Sequence, residues 1–191
     1  MLQSKLFYKT TKNKTSGTES VSHDLLVRAG YIDQLMAGVY SFLPLGFRVL
    51  KNIENIIRKN MEAIDGQELL LPALHPKENW VKNGRIESLA DILFKLKANG
   101  DKEYILGPTH EEIITPLAKK VIFSYRDLPF YVFQIQNKFR DELRAKSGIL
   151  RTREFKMKDL YSFHTNQDDL DAYYEKAAKS YEKIFNECGI G

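Results

Sequence analysis

Between positions 45 and 64 the apolar residues Leu45, Val49, Leu50, Ile53, Ile56, Ile57, Met61 and Ile64 recur at helical spacing, and Gly66 stands where a helix would stop. The pattern predicts one long amphipathic helix. The run Glu68-Leu69-Leu70-Leu71-Pro72-Ala73-Leu74 follows, short and apolar. Its proline lacks a ladder donor and so suits a strand at a sheet edge or interface. Positions 102 to 107 read as a short strand, followed by Pro108-Thr109-His110-Glu111-Glu112 and an apolar pattern through Val121. Thr109 and Glu112 have the spacing of a capping box.

From 131 to 142 the chain alternates. Tyr131, Phe133, Ile135 and Phe139 fall on one face, and Gln134, Gln136, Lys138, Arg140 and Glu142 on the other. A turn around Ser147-Gly148 and a second extended run from 151 to 163 complete a long antiparallel hairpin. A last helix is predicted over 167 to 188, with Leu170, Tyr173, Tyr174, Ala177, Tyr181, Ile184 and Phe185 on one face and Gly189 after it. The first 20 positions are polar, with Lys5, Lys9, Lys12, Lys14 and a Thr-Ser-Gly cluster, and read as an extended or mobile arm; the ordered fold should begin near Ser22.

Length and composition narrow the class. At 191 residues the chain can bury one sizeable core, and 43% hydrophobic with 28% charged residues argue against wholesale disorder or a fibrous repeat. No apolar run approaches the length that crosses a bilayer, and the N-terminal sequence has no apolar core like that of a signal peptide, so a cytoplasmic location is expected. Cys188 is the only cysteine, which excludes an intrachain disulfide and a cysteine-based zinc site; on the stripe of the last helix it reads as a small buried hydrophobe. His23, His75, His110 and His164 do not have a metal-binding spacing, and each reads as structural or exposed. A net charge of +4 is compatible with an anionic partner without requiring one.

The polar face of the hairpin carries the candidate chemistry. It aims Arg140, Glu142, Arg151 and Arg153 into one neighbourhood beside Phe155. Arginines so placed can grip polyphosphate, an aromatic ring can stack on a base, and a carboxylate can accept from an exocyclic amine. No glycine-rich phosphate loop occurs in the sequence. A solvated sheet face with cross-strand ion pairs is the alternative that spacing leaves open.

The segment Phe139-Arg140-Asp141-Glu142, a loop, then Arg151-Thr152-Arg153-Glu154-Phe155 resembles motif 2 of the class II aminoacyl-tRNA synthetases, and Gly46-Phe47-Arg48-Val49 with its trailing Pro72 resembles motif 1. The stretches FLPLGFRVL, GPTHEE and REFKMKDLYSFH are similar to those of bacterial-type prolyl-tRNA synthetases, over nearly the whole chain. The fold this resemblance implies is α+β, an antiparallel β-sheet flanked by helices. The activity it implies is activation of proline by ATP to prolyl-adenylate, followed by transfer to tRNA(Pro). Arg140 would hold the ATP α-phosphate and the proline carboxylate, Arg151 the γ-phosphate, Glu142 the adenine amine, and Phe155 the adenine ring. Thr109 and Glu111 would bind the proline nitrogen.

Met157 and Asp159 share the face of Phe155 if the strand is regular; they read either as lining of the proline pocket or as a core methionine and a surface acid. Arg144 and Lys146 would meet the tRNA acceptor stem, although the loop Arg144-Ala145-Lys146-Ser147 lacks the proline-containing basic tip of the family. The resemblance further implies Mg2+, with no self-contained site for it in the sequence, and a homodimer through positions 45 to 74. It places motif 3 and the editing and anticodon-binding domains outside the 191 residues, so that the chain is the N-terminal portion of a catalytic domain, inactive by itself. Two other classes stay open: a non-catalytic paralogue with a regulatory or RNA-binding role, and a related synthetase for threonine, serine or glycine.

Overall fold

In the computed structural model, which describes residues 2–13, 20–100 and 102–191, the first helix, α1 (Val21–Arg28), starts at Ser20, whose hydroxyl accepts the His23 backbone N–H at 3.3 Å. Of the polar arm, Lys14 and the Thr-Ser-Gly cluster lie outside the described residues. The described part contains a short 3-10 turn at Gln3–Lys5, and the Thr11 N–H donates to the Arg28 carbonyl at 3.0 Å, so this stretch is tied to α1 rather than simply extended.

Two strands, β1 (Ile32–Met36) and β2 (Val39–Phe42), make a hairpin before helix α2 (Pro44–Glu62). Pro44 occupies the first turn of α2, where its missing N–H would have no helical partner anyway. Gly46 is required by close approach, because a Cβ there would lie 2.1 Å from the Tyr31 carbonyl oxygen. Met61 and the following Ile64 are buried and Ile56 and Ile57 pack against them, while Phe47, Val49 and Ile53 stay partly exposed. The long helix is thus as the apolar spacing predicts. Asp65, at φ 67°, takes the left-handed turn beyond it, and Gly66 is held close to the Met61 carbonyl.

The apolar run at 68 to 74 does not form one strand, as the sequence reading had it. It splits into β3 (Gln67–Glu68) and β4 (Leu74–Pro76). The reason is that side chains replace the ladder: the Leu71 N–H donates to Gln134 Oε1 at 3.1 Å, and the Leu71 carbonyl accepts from Gln136 Nε2 at 2.8 Å. β4 instead joins β5 (Lys95–Lys97) and β6 (Glu103–Leu106) in an antiparallel sheet with β6 in the middle. Helices α3 (Lys77–Lys82) and α4 (Arg85–Ser88) precede β5, and Trp80, Leu93 and Ile105 form a small core there with Ile86 and Leu89.

Helix α5 (Glu111–Ala118) leads to the strands β7 (Phe130–Phe139) and β8 (Glu154–Phe163), which pair antiparallel from Phe130↔Phe163 to Phe139↔Glu154. β3 adds to the outer side of β7 as a short parallel strand. One face of this sheet is covered by α2 and by α6 (Gln167–Glu187), which together bury Met61, Ile64, Phe133, Tyr173 and Ile184. Full burial of one such side chain contributes about 1.5–3 kcal/mol. The Tyr131 and Tyr173 rings stack at 3.7 Å, and Cys188 packs on the same core. The apolar face read on α6 is wider than what it buries. Tyr173, Ala177 and Ile184 face the core, whereas Tyr174 and Phe185 are exposed. The result is α+β, antiparallel sheets flanked by helices, with one parallel strand pair. Among the described residues no helix is long and apolar enough to cross a membrane.

Candidate active site

Directly opposed residues of an antiparallel pair share a face. The register Gln134↔Asp159, Gln136↔Met157 and Lys138↔Phe155 therefore gathers six of the singled-out side chains on the sheet face away from α2 and α6. From spacing alone this polar face could be a solvated sheet face. In the structure Gln134 and Lys138 are fully buried, because residues 71–73 and the turn before α5 lie across it: Gln134 and Gln136 bond to Leu71, and the Phe139 N–H donates to the Gly107 carbonyl at 3.1 Å. Alternation along a strand cannot reveal a roof made by distant segments.

Under that roof lies a network the sequence reading missed. Asp159 Oδ2 accepts from Lys138 Nζ at 2.8 Å, Gln134 Nε2 at 2.9 Å and the Tyr161 hydroxyl at 2.6 Å. The Tyr161 oxygen in turn accepts the His110 backbone N–H at 3.1 Å. Lys138 also meets His110 Nδ1 at 2.5 Å, which leaves Nε2 of His110 to carry the hydrogen and donate to the Pro72 carbonyl at 3.1 Å; His75 Nε2 reaches the same carbonyl at 3.0 Å. Burial pushes His110 and His75 down to about 4, helped at His110 by the Lys138 charge and at His75 by the neighbouring His110 and Lys138. Burial also lowers Lys138, opposed by its bond to Asp159, and raises the Tyr161 phenol far above its ordinary value. Asp159 is therefore not a surface acid: its side chain is 10% exposed, and Oδ1 is buried with no hydrogen-bond partner among the described residues.

The turn over this network presents Thr109 and Glu111. No capping box forms between Thr109 and Glu112. His110 is the N-cap residue of α5, without a side-chain bond, because the Thr109 hydroxyl donates instead to Glu111 Oε2 at 2.5 Å and Glu112 turns toward Asn83 and Arg85. An ionised carboxylate is a stronger acceptor for that hydroxyl than a helix N–H is a donor. Arg85 Nη1 lies 3.2 Å from Glu111 Oε2 and 2.8 Å from Glu112 Oε1. Desolvation acts to raise the Glu111 carboxyl, but the Thr109 and backbone hydrogen bonds and Arg85 together hold it below the usual carboxylate range. A cavity of about 420 Å³ opens beside it, lined by Lys82, Asn83, Arg85, Glu111, Glu112 and Lys119 among others. Arg85 carries no motif or periodicity that would have singled it out.

Arg140 joins this turn to the open end of the hairpin. Its Nη2 donates to the Pro108 carbonyl at 3.3 Å, its guanidinium lies 5.3 Å from the Phe155 ring centre, and its Nε is buried with no partner among the described residues. β7 ends at Phe139 and β8 begins at Glu154, so Arg140, Glu142, Arg151 and Arg153 are placed by the loop and not by strand alternation as read from sequence. The loop still brings them together. Arg151 Nε pairs with Glu142 Oε2 at 2.8 Å, Arg153 Nε donates to the Glu142 carbonyl at 3.1 Å, and the bond from Arg151 depresses the Glu142 carboxyl.

The loop is clamped from outside. Gly38, at φ 77°, accepts the Arg153 N–H at 2.7 Å, and a Cβ there would strike Ala145 and Arg153. The predicted turn is at Ser147-Gly148, both left-handed at φ 61° and 62°, with Gly148 against His23. Arg144 and Lys146 are exposed on this loop. Among the described residues no three His, Cys, Asp or Glu side chains converge as metal ligands. The carboxylate nearest the arginines, Glu142, is committed to Arg151. These residues do not fit a Mg2+ held by protein groups alone.

Residues 94–191 match the family model of the tRNA synthetase class II core domain (G, H, P, S and T). A proline--tRNA ligase of Lactiplantibacillus plantarum is 50% identical over 190 residues, covering 100% of this chain and 33% of the relative. One from Anaeromyxobacter sp. is 51% identical over 187 residues, covering 98% and 32%. The chain thus spans about a third of the length of the curated relatives it matches. In fold it is similar to Giardia lamblia prolyl-tRNA synthetase in complex with prolyl-adenylate, at a TM-score of 0.80 and 22% identity over 85% of this chain and 34% of that one. A Cryptosporidium parvum prolyl-tRNA synthetase complexed with L-proline and AMP gives a TM-score of 0.75 at 20% identity, over 85% and 32%.

Proposed function

We propose, because the chain belongs to the class II tRNA synthetase core domain family, that it carries the proline- and ATP-binding part of a proline--tRNA ligase whose full-length form makes prolyl-adenylate and charges tRNA(Pro). The observation that carries this reading is the junction at Pro108. Arg140 bonds to its carbonyl, and Thr109 and Glu111 follow directly, so an anion-binding group and an ammonium-binding pair adjoin as an amino acid requires. A protonated secondary amine has two N–H donors. Thr109 Oγ1, already donating to Glu111, can accept one, and the Glu111 carboxylate the other. Met157 and Asp159 would form the pocket floor, with Asp159 Oδ1 as a further acceptor. Curated relatives at about 50% identity named proline--tRNA ligase support proline over threonine, serine or glycine.

In the first step a proline carboxylate oxygen attacks the ATP α-phosphorus in line and pyrophosphate leaves. Arg140 would neutralise charge on the α-phosphate and orient the carboxylate, Arg151 would hold the γ-phosphate, Glu142 would accept from the adenine amine, and Phe155 would stack on the ring. In the second step the terminal ribose hydroxyl of the tRNA attacks the acyl carbon and AMP leaves, with Arg144 and Lys146 contacting the acceptor stem. No covalent enzyme intermediate is needed. A cytoplasmic location and a two-fold dimer through α2 complete the proposal. The test is pyrophosphate exchange by the full-length protein with single amino acids: proline alone should drive it, and exchange driven by threonine, serine or glycine instead would overturn the assignment.

A further inference from the structure

We propose that Glu112 is a positioning residue that neutralises Arg85, so that Glu111 keeps its negative charge for the substrate ammonium. The proposal rests on the reading of Thr109 and Glu111 as the amine site and deepens it. One guanidinium nitrogen, Arg85 Nη1, serves two adjacent carboxylates, at 3.2 Å to Glu111 and 2.8 Å to Glu112. Left with Glu111 alone, Arg85 would cancel the charge that an ammonium has to find. Glu112 changes the balance: two carboxylates and one guanidinium leave a net charge of one negative unit.

The distribution of that charge follows from burial. The Glu112 side chain is 0% exposed and the Glu111 side chain 48%, so the guanidinium interacts more strongly with Glu112, where water screens least. Arg85 is fixed in place, lying 5.7 Å from the Trp80 ring centre, and Glu112 Oε1 takes a second bond from Asn83 Nδ2 at 2.9 Å. Both side-chain donors to Glu111, Thr109 and Arg85, fall on Oε2. Oε1 takes neither of them. Glu112 Oε2, by contrast, is buried with no hydrogen-bond partner among the described residues. A neutral glutamine could accept the Asn83 and Arg85 bonds through its one oxygen, so packing alone does not account for a carboxylate at this position; its charge does.

The experiment measures KM for proline and for ATP in pyrophosphate exchange by the full-length protein carrying Glu112→Gln, Arg85→Met, both together, or Glu111→Gln as control. Glu112→Gln should raise the proline KM about five- to twentyfold, the loss of one partly screened charge, and leave the ATP KM within about twofold. Adding Arg85→Met to Glu112→Gln should restore most of the proline affinity, because Glu111 is again unopposed; a merely structural role would make the double variant worse. An unchanged proline KM in Glu112→Gln, or a defect that Arg85→Met deepens, overturns the inference alone if Glu111→Gln still loses proline. Absence of proline-driven exchange in the unmodified protein, or a Glu111→Gln variant that uses proline normally, overturns the amine-site reading and this inference with it.

Discussion

The ammonium of Lys138 lies 2.5 Å from Nδ1 of His110, wholly inside the protein. The contact binds the loop end of β7 to the turn that presents Thr109 and Glu111. It also requires a neutral imidazole, since a protonated Nδ1 would aim its hydrogen at the lysine charge. The same imidazole donates to Pro72, so the segment after α2, the amine-site turn and β8 meet through two side chains.

Stability should therefore fall with mild acid. His110 and His75 titrate near 4 when folded and near 6.5 when unfolded. Between those values the unfolded chain binds more protons, so the stabilisation is complete above about pH 6.5 and is lost as pH falls toward 4. The limiting slope is about 1.4 kcal/mol per pH unit for each histidine. Urea unfolding at pH 7.5, 6 and 5 measures it, and an unfolding free energy that stays flat over this range would show that neither imidazole is held neutral.

Replacing Lys138 with Met should destabilise by about 3–5 kcal/mol, because it leaves the buried Asp159 carboxylate unpaired. The double variant Lys138→Met, Asp159→Asn should regain much of that loss by removing the stranded charge. Denaturation of the two proteins decides the matter: equal losses would mean that the pair is not coupled.

The hydrophobic pattern made the elements legible. α2, the β7–β8 hairpin and α6 lie where periodicity places them, since each buries a regular stripe. What it could not convey was contact between distant segments. Gln134 and Lys138 read as the outward face of a strand, and only the crossing of 71–73 and 107–112 makes that face interior. Thr109 and Glu112 had cap spacing, yet Arg85, 27 residues away, drew Glu112 aside. Of the proposed site, the arginines, Glu142 and Phe155 were legible through their resemblance to a motif. Arg85, Lys138 and Tyr161 act through side chains remote in sequence and carried no local signal.

Glu111→Ala in the full-length protein should weaken proline use by about 1.5–3 kcal/mol, the worth of a charge-assisted hydrogen bond, and leave ATP binding nearly unchanged. Exchange kinetics varied in each substrate separate the two effects. An unaltered proline KM would reduce Glu111 to a helix-start residue that orders Thr109.

Val49 and Ile53, four residues apart and so on one side of α2, stand 44% and 38% exposed, an apolar stripe the sheet leaves uncovered. If this stripe is the two-fold interface, the full-length protein sediments as a dimer at micromolar concentration and Ile53→Asp shifts it to monomer. A full-length protein that is monomeric without the substitution would remove α2 from any dimer.

Arg140 and Arg151 differ in what they would touch, and the structure separates them before any ligand is considered. Arg140 is anchored at the Pro108 carbonyl beside the amine site, with a buried Nε still to be satisfied, whereas Arg151 is half exposed and committed to Glu142. Arg140 would meet the phosphorus under attack, where charge builds in the transition state; Arg151 would meet only the departing end of the triphosphate. Arg140→Ala should then lower the exchange rate by about 10² to 10³, or roughly 2.7–4 kcal/mol, and Arg151→Ala by clearly less. Phe155→Ala should act mainly through the ATP KM, since stacking is equal in ground and transition states. It also removes the ring beneath the Arg140 guanidinium, so a moderate fall in kcat should accompany the KM change. Proline-driven exchange by the full-length variants tests the order. Near-normal turnover by Arg140→Ala would return this end of the hairpin to an ordinary set of surface ion pairs.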